Sequence, residues 1–215
     1  MLKIYNKQMS PIGMKDKKIV HTEGLWHKVF GAILYNLEEK TIYFQTIYPK
    51  ESYTFEREDF IDFAVGGHVE ENENILAAGI RETKEELGIS ISEKDLNFIG
   101  IRICKCNPSE TYKIREFQHF YAIKINTQLK DMDFSKSDNE VKSVIEVKLD
   151  DYLKLLSKEV FEIKANEMLL DKNTRKGTYT ENITITDKRI VKDYFTDKSI
   201  LEKFLAIKML MDTNS

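Results

Sequence analysis

Residues 66 to 89 constrain this chain more than any other stretch. They read Gly-Gly-His-Val-Glu-Glu-Asn-Glu-Asn-Ile-Leu-Ala-Ala-Gly-Ile-Arg-Glu-Thr-Lys-Glu-Glu-Leu-Gly-Ile. A glycine pair, Gly66 and Gly67, opens the stretch, a helical pattern runs from Asn74 to Leu87, and Gly88 stops it. At about 3.6 residues per turn, Leu76, Ile80, Thr83 and Leu87 share one stripe and Glu82, Glu85 and Glu86 gather on the other side. The pattern is an amphipathic helix with an apolar back and a carboxylate front.

That front carries a cost. Glu82 precedes Glu85 by three residues and Glu86 by four. Like charges at these spacings destabilise a helix by about 0.2–0.5 kcal/mol per pair. Lys84 lies off the face, while Arg81 can brace one glutamate. A hard divalent cation would relieve the repulsion, and Mg²⁺ typically takes one or two protein carboxylates together with substrate phosphate oxygens. A solvated acidic face is the alternative.

Spacing separates the two. Gly67 is followed by five residues, Glu73, seven residues, and then Arg81-Glu82-Thr83-Lys84-Glu85-Glu86-Leu87-Gly88-Ile89. This resembles the Nudix box, G-x5-E-x7-R-E-U-x-E-E-x-G-U with U bulky and apolar. Thr83 is the one departure, since an aliphatic residue is commoner there, and its methyl can still face the core. The resemblance implies Mg²⁺- or Mn²⁺-dependent hydrolysis of a small-molecule diphosphate. It implies Glu85 and Glu86 as direct metal ligands, Glu82 as a water-mediated ligand or general base, and Arg81 as a brace with Glu73 as salt-bridge partner. The Gly66 carbonyl could add a ligand, because glycine lets backbone approach closely. Nudix enzymes often recruit a later loop glutamate, and Glu140 fits that place best.

A second resemblance extends loosely over residues 2 to 157. Val20-His21-Thr22-Glu23-Gly24-Leu25-Trp26-His27 is similar to the segment leading into the central fold of isopentenyl-diphosphate isomerases and their Nudix relatives. In those isomerases, two histidines here and one beside the box glycines bind a metal with glutamates of a later strand. His21, His27 and His68 occupy similar places, and Glu116 stands where one later glutamate falls. Its partner position holds Ile114, which leaves that site incomplete. The isomerase cysteine before the Gly-His pair is replaced by Gly66. The resemblance therefore implies a hydrolase of the isomerase-like branch rather than an isomerase, with His68 as the histidine best placed for substrate binding. A non-catalytic nucleotide-sensing module is a further alternative, and the complete set of box carboxylates argues against it.

The 215 residues, 41% hydrophobic and 32% charged, suit one domain with an appendage. A net charge of −3 offers no basic footprint for nucleic acid. The longest apolar run, Val29 to Tyr35, falls far short of the roughly 20 residues of a membrane span, and the first residues carry no apolar signal core. The expectation is a cytoplasmic protein, with Cys104 and Cys106 as free thiols.

Periodicity predicts strands at 2–5, 27–36, 41–48, 60–65, 97–104, 115–125 and 141–149. It predicts a turn at Ser10-Pro11-Ile12-Gly13, polar loops at 49–59 and 126–140, and a helix over 152–157 capped by Asp150. Residues 178–186 read as a further strand. Residues 199–211 read as an amphipathic helix that could cover the core or pair with a second subunit to form a homodimer. His119 falls inside a strand, and Trp26 reads as packing. The expected fold is α/β (α+β): the α/β/α sandwich with a mixed sheet that the box implies. A Nudix domain would span 1–157, and a C-terminal helical extension, 158–215, would pack on it.

Overall fold

The computed structural model describes residues 1–49 and 60–213. Its centre is β3 (Trp26–Asn36), a long run whose alternate side chains feed two cores. Ala32 and Leu34 enter one core while Ile33 and Tyr35 enter the other. Such a double-sided strand belongs in the middle of a sandwich. One edge of β3 is occupied by β8 (Ile114–Lys124) in parallel, from His27↔Glu116 to Tyr35↔Lys124. The other edge is shared by three antiparallel partners. β6 (Val65–His68) pairs over Val29–Ala32, and β4 (Thr41–Ile47) pairs over Leu34–Asn36.

The sheet extends from there. β1 (Leu2–Tyr5) is the third, pairing with Trp26 and His27 at the start of that edge, and β2 (Pro11–Lys15) adds to β1. At the far end of that edge, β4 is followed by β9 (Val141–Lys148), β10 (Glu162–Leu170) and β11 (Gly177–Thr186). β5 (Asp62–Phe63) adds to β4, and β7 (Asn97–Cys106) adds to β8. The β3–β8 pairing is parallel and the other ladders are antiparallel, so the sheet is mixed.

Helices cover both faces. α2 (Ile75–Leu87) closes the core of Phe30, Ala32, Leu34, Val65 and Leu87. α3 (Leu149–Leu156) and α4 (Lys198–Thr213) close the opposite core, where Tyr152 and Phe204 pack on Phe44. A short α1 (Lys17–Glu23) carries His21 between an Asp16 cap and a left-handed Gly24. Among the described residues no helix is long and apolar enough to cross a membrane.

Several local expectations need correction. The turn expected at 10–13 continues into β2, whose residues are all exposed and so carry no hydrophobic signal. Gly66 and Gly67 lie within β6 rather than after a strand. α3 starts at Leu149, with Lys148 in the cap position. Asp150 therefore sits inside the first turn, where it pairs with Lys208 of α4 instead of capping. α1 and β10 were not expected at all. The loop read at 49–59 lies, from residue 50, outside the described residues.

Candidate active site

α2 begins where Asn74 accepts hydrogen bonds from the N–H groups of Leu76 and Ala77, and it ends at left-handed Gly88. Both ends follow from ordinary cap chemistry. Gly79 lets the helix sit down on Phe30, because a β-carbon there would fall 2.2 Å from that ring. The close approach drives one glutamate inward. Glu86 is 5% exposed, so the carboxylate front expected from the helical wheel is only partly on the surface. Its Oε2 accepts the Gly66 N–H at 3.0 Å, and the Gln45 amide approaches at 3.4 Å. Burial raises its proton affinity well above the ordinary carboxylate value, and Glu82's charge adds to this.

Glu82 packs against the glycine strand. A β-carbon on Gly67 would fall 1.9 Å from Glu82 Oε1, so the tight glycine is Gly67, not Gly66, where a β-carbon would meet only ordinary contact. Burial pushes the Glu82 carboxyl up to about 7 against the pull of Arg81. Arg81 is the hub: its guanidinium contacts Glu73 at 2.7 Å and both Glu82 and Glu85 at 2.9 Å. It also donates to the carbonyl of His68 at 3.1 Å. Glu85 is the most open of the three acids, with about half its side chain exposed.

The segment before β9 closes over this face. The Asp138 N–H donates to the Glu85 carbonyl at 2.6 Å, and the Glu140 N–H donates to Asp138 Oδ1 at 2.9 Å. The Glu140 charge raises the proton affinity of Glu82, and that of Asp138 raises Glu86's. Among the described residues, Arg81 is thus shared by Glu73, Glu82 and Glu85, while Glu86 makes no ion pair. The imbalance, with two of the acids largely buried, fits a divalent cation held by carboxylate oxygens.

The histidines form a second cluster. Ligand nitrogens of His21, His27 and His68 lie within 4.8 Å of one another. The Nδ1 atoms of His21 and His27 face the carbonyls of Lys113 and Leu25, at 3.3 and 2.9 Å. Each ring therefore carries its hydrogen there and turns a bare Nε2 inward. His21 Nε2 meets His68 Nε2 at 3.0 Å. His27 Nε2 is buried without a hydrogen-bond partner, 3.6 Å from Glu116 Oε1. A proton on Nε2 or a bound cation would supply the positive charge that this contact with a carboxylate calls for. Burial lowers the proton affinity of His21 and His68, which favours their neutral, ligating forms. Three imidazoles and a carboxylate suit a borderline ion such as zinc. The fold thus brings His21 and His27 together with His68 and Glu116, as the isomerase-like resemblance implies. Ile114 offers no second carboxylate, while Gln118 donates to Glu116 at 2.7 Å.

The acid cluster lines a cavity of about 690 Å³, and His68 and Glu116 of the histidine cluster border the same cavity. Of the residues named from sequence, Gly66, His68, Arg81, Glu82, Glu85, Glu86 and Glu140 all border it. His119 does not, and its ring instead faces the Phe117 carbonyl. Trp26 stacks on Phe117. Cys104 and Cys106 are free thiols on the cavity wall. Sequence reasoning passed over Asp138 and Gln45. Asp138 stands two residues before Glu140, and Gln45 is an amide within a largely apolar strand, so each left a faint signal.

Fold and acid cluster together define the class: an α/β/α enzyme with a carboxylate-bearing helix over its cavity. A NUDIX domain profile matches residues 25–167. The chain belongs to the Nudix family, and it is a hydrolase. An uncharacterised Nudix hydrolase of Clostridium acetobutylicum is 26% identical over 177 residues, covering 81% of this chain and 82% of its own. Among solved structures, DR0079 of Deinococcus radiodurans overlays with a TM-score of 0.49 at 18% identity, covering 73% of this chain and 88% of that one. A MutT/nudix family protein of Enterococcus faecalis overlays with a TM-score of 0.45 at 16% identity, covering 93% and 65%.

Proposed function

We propose that the protein cleaves a diphosphate linkage in a nucleoside diphosphate derivative or another organic diphosphate, with Mg²⁺ or Mn²⁺ held by the α2 carboxylates. The observation that carries this reading is the surplus of acids around Arg81, with Glu86 buried and Glu82 largely so. Glu85 and Glu86 would hold the ion, with Glu82 and Glu140 beside them. A bound divalent ion supplies charge neutralisation for the diphosphate and a more acidic water. Glu82, whose proton affinity sits near neutrality, is suited to take a proton from the attacking water. Arg81 fixes Glu73, Glu82 and Glu85 relative to the His68 backbone, so the acids stay in place before substrate arrives. Gly67 leaves room for Glu82. A panel of organic diphosphates with Mg²⁺, read as phosphate or monophosphate release, tests the reading. Turnover that persists in excess chelator would sink it.

The histidine cluster supports a place on the isomerase-like branch of the family. The specific observation is the buried, partnerless His27 Nε2 facing Glu116. This reading adds a second ion, not double-bond isomerisation. Gly66, where the isomerase cysteine would stand, has no side chain to move a proton. Solvent deuterium entering isopentenyl diphosphate above background would contradict it.

A further inference from the structure

The turn between β10 and β11 reaches under the segment that carries Asp138 and Glu140. Asp171 shapes this turn: its Oδ1 accepts the N–H groups of Asn173 and Thr174 and the Thr174 hydroxyl. Its backbone carbonyl takes the Arg175 N–H at 3.0 Å. Arg175 is thereby held at φ 56°, a region that a β-carbon disfavours. Its side chain turns inward and is buried, leaving the residue 7% exposed.

There the guanidinium spans a gap. Nε donates to Ser137 Oγ at 3.0 Å, and Nη1 donates to the Val141 carbonyl at 2.9 Å. These two anchors flank residues 138–140 on either side. Nη2 is buried without a hydrogen-bond partner, and Arg175 makes no ion pair with a described residue. A buried cation with an idle donor, on a strained backbone, is a poor stability device. It is a good clamp, because the planar fork fixes two acceptors at a set separation. The same hairpin grips the segment again through Tyr48. The Tyr48 hydroxyl donates to the Leu170 carbonyl at 2.7 Å, and its N–H donates to the Glu140 carbonyl at 2.8 Å.

We propose that Arg175 is a positioning residue, clamping Ser137 and Val141 so that Asp138 and Glu140 face Glu82 and Glu86. This makes a segment beyond the family-matched residues 25–167 part of the active site. The proposal rests on the carboxylate reading above, with Glu140 in the reacting cluster.

The test is a double-mutant cycle of Arg175→Met and Glu140→Gln. It is assayed with the best substrate of a nucleoside-diphosphate and sugar-diphosphate panel at saturating Mg²⁺. Arg175→Met is expected to lower kcat roughly tenfold with KM within about twofold, as misplacement of a reacting group does. The double variant should turn over no more slowly than Glu140→Gln alone. Arg175→Lys keeps the charge without the fork, so it should lose kcat in the same direction and serves if the Met variant fails to fold. Losses that multiply in the double variant would overturn the proposal, and so would unchanged kcat in both Arg175 variants beside an impaired Glu140→Gln. Full turnover by Glu140→Gln, with Arg175 intact, would instead remove Glu140 from the site and take the clamp's purpose with it.

Discussion

Glu82 gives the metal-free protein a stability that depends on pH. Its carboxyl is raised from an ordinary 4.5 to about 7, chiefly by burial. At about 1.4 kcal/mol per tenfold change in proton affinity, that is about 3 kcal/mol. Folding favours the protonated form, so the contribution is whole below about 4.5 and is lost as pH climbs through about 7. For a chain of this length, about 3 kcal/mol corresponds to about 6–12 °C in Tm. His21 and His68 act in the opposite sense. Their proton affinity is lowered in the fold, so they destabilise it as pH falls below about 6.5. The Glu82→Gln variant isolates the glutamate. In chelator, thermal melts from pH 5 to 8 should show wild type losing about 6–12 °C relative to Glu82→Gln. Mg²⁺ should restore most of that loss at pH 8 and little at pH 5. A difference between the two proteins that stays flat across this range would refute the assignment of a buried, proton-hungry Glu82.

Two further perturbations follow from packing. Gly67→Ala places a methyl 1.9 Å from Glu82 Oε1, so the carboxylate must move. Turnover should fall on the order of a hundredfold while the fold persists, and steady-state kinetics beside circular dichroism would check both. Phe204→Ala empties a fully buried ring site against Phe44, Phe63 and Tyr152. It should cost about 3–5 kcal/mol in urea unfolding, with a single transition if residues 158–213 fold with the rest as one unit.

Much of this architecture could be read from local pattern. β3, β4, β7 to β9 and α2 announced themselves through alternation, a helical stripe or cap residues. The missed elements lacked those signals. In β10, a register shift between Ala165 and Glu167 breaks the two-residue period, so Ile163, Ala165, Met168 and Leu170 do not alternate cleanly. α1 has only seven residues, though Asp16 and Gly24 frame it. The box spacing located the acids, but a helical wheel could not show that Glu86 turns inward, because that depends on how Gly79 seats α2 on Phe30. The histidine cluster is a product of topology. His21, His27, His68 and Glu116 come from four elements that meet only because β3 pairs with β6 and β8 side by side.

The central claim is that the α2 acids, not the histidines, hold the ion that hydrolysis needs. The direct measurement is diphosphate turnover against Mg²⁺ concentration for Glu85→Gln and for a variant with His21, His27 and His68 all changed to Ala. An amide only partly mimics a charged oxygen ligand. The account therefore expects Glu85→Gln to fold normally and lose nearly all activity, while the histidine variant keeps Mg²⁺-dependent turnover with weaker substrate binding through His68. Glu85→Gln within a few-fold of wild type, together with lost Mg²⁺ dependence in the histidine variant, would contradict it.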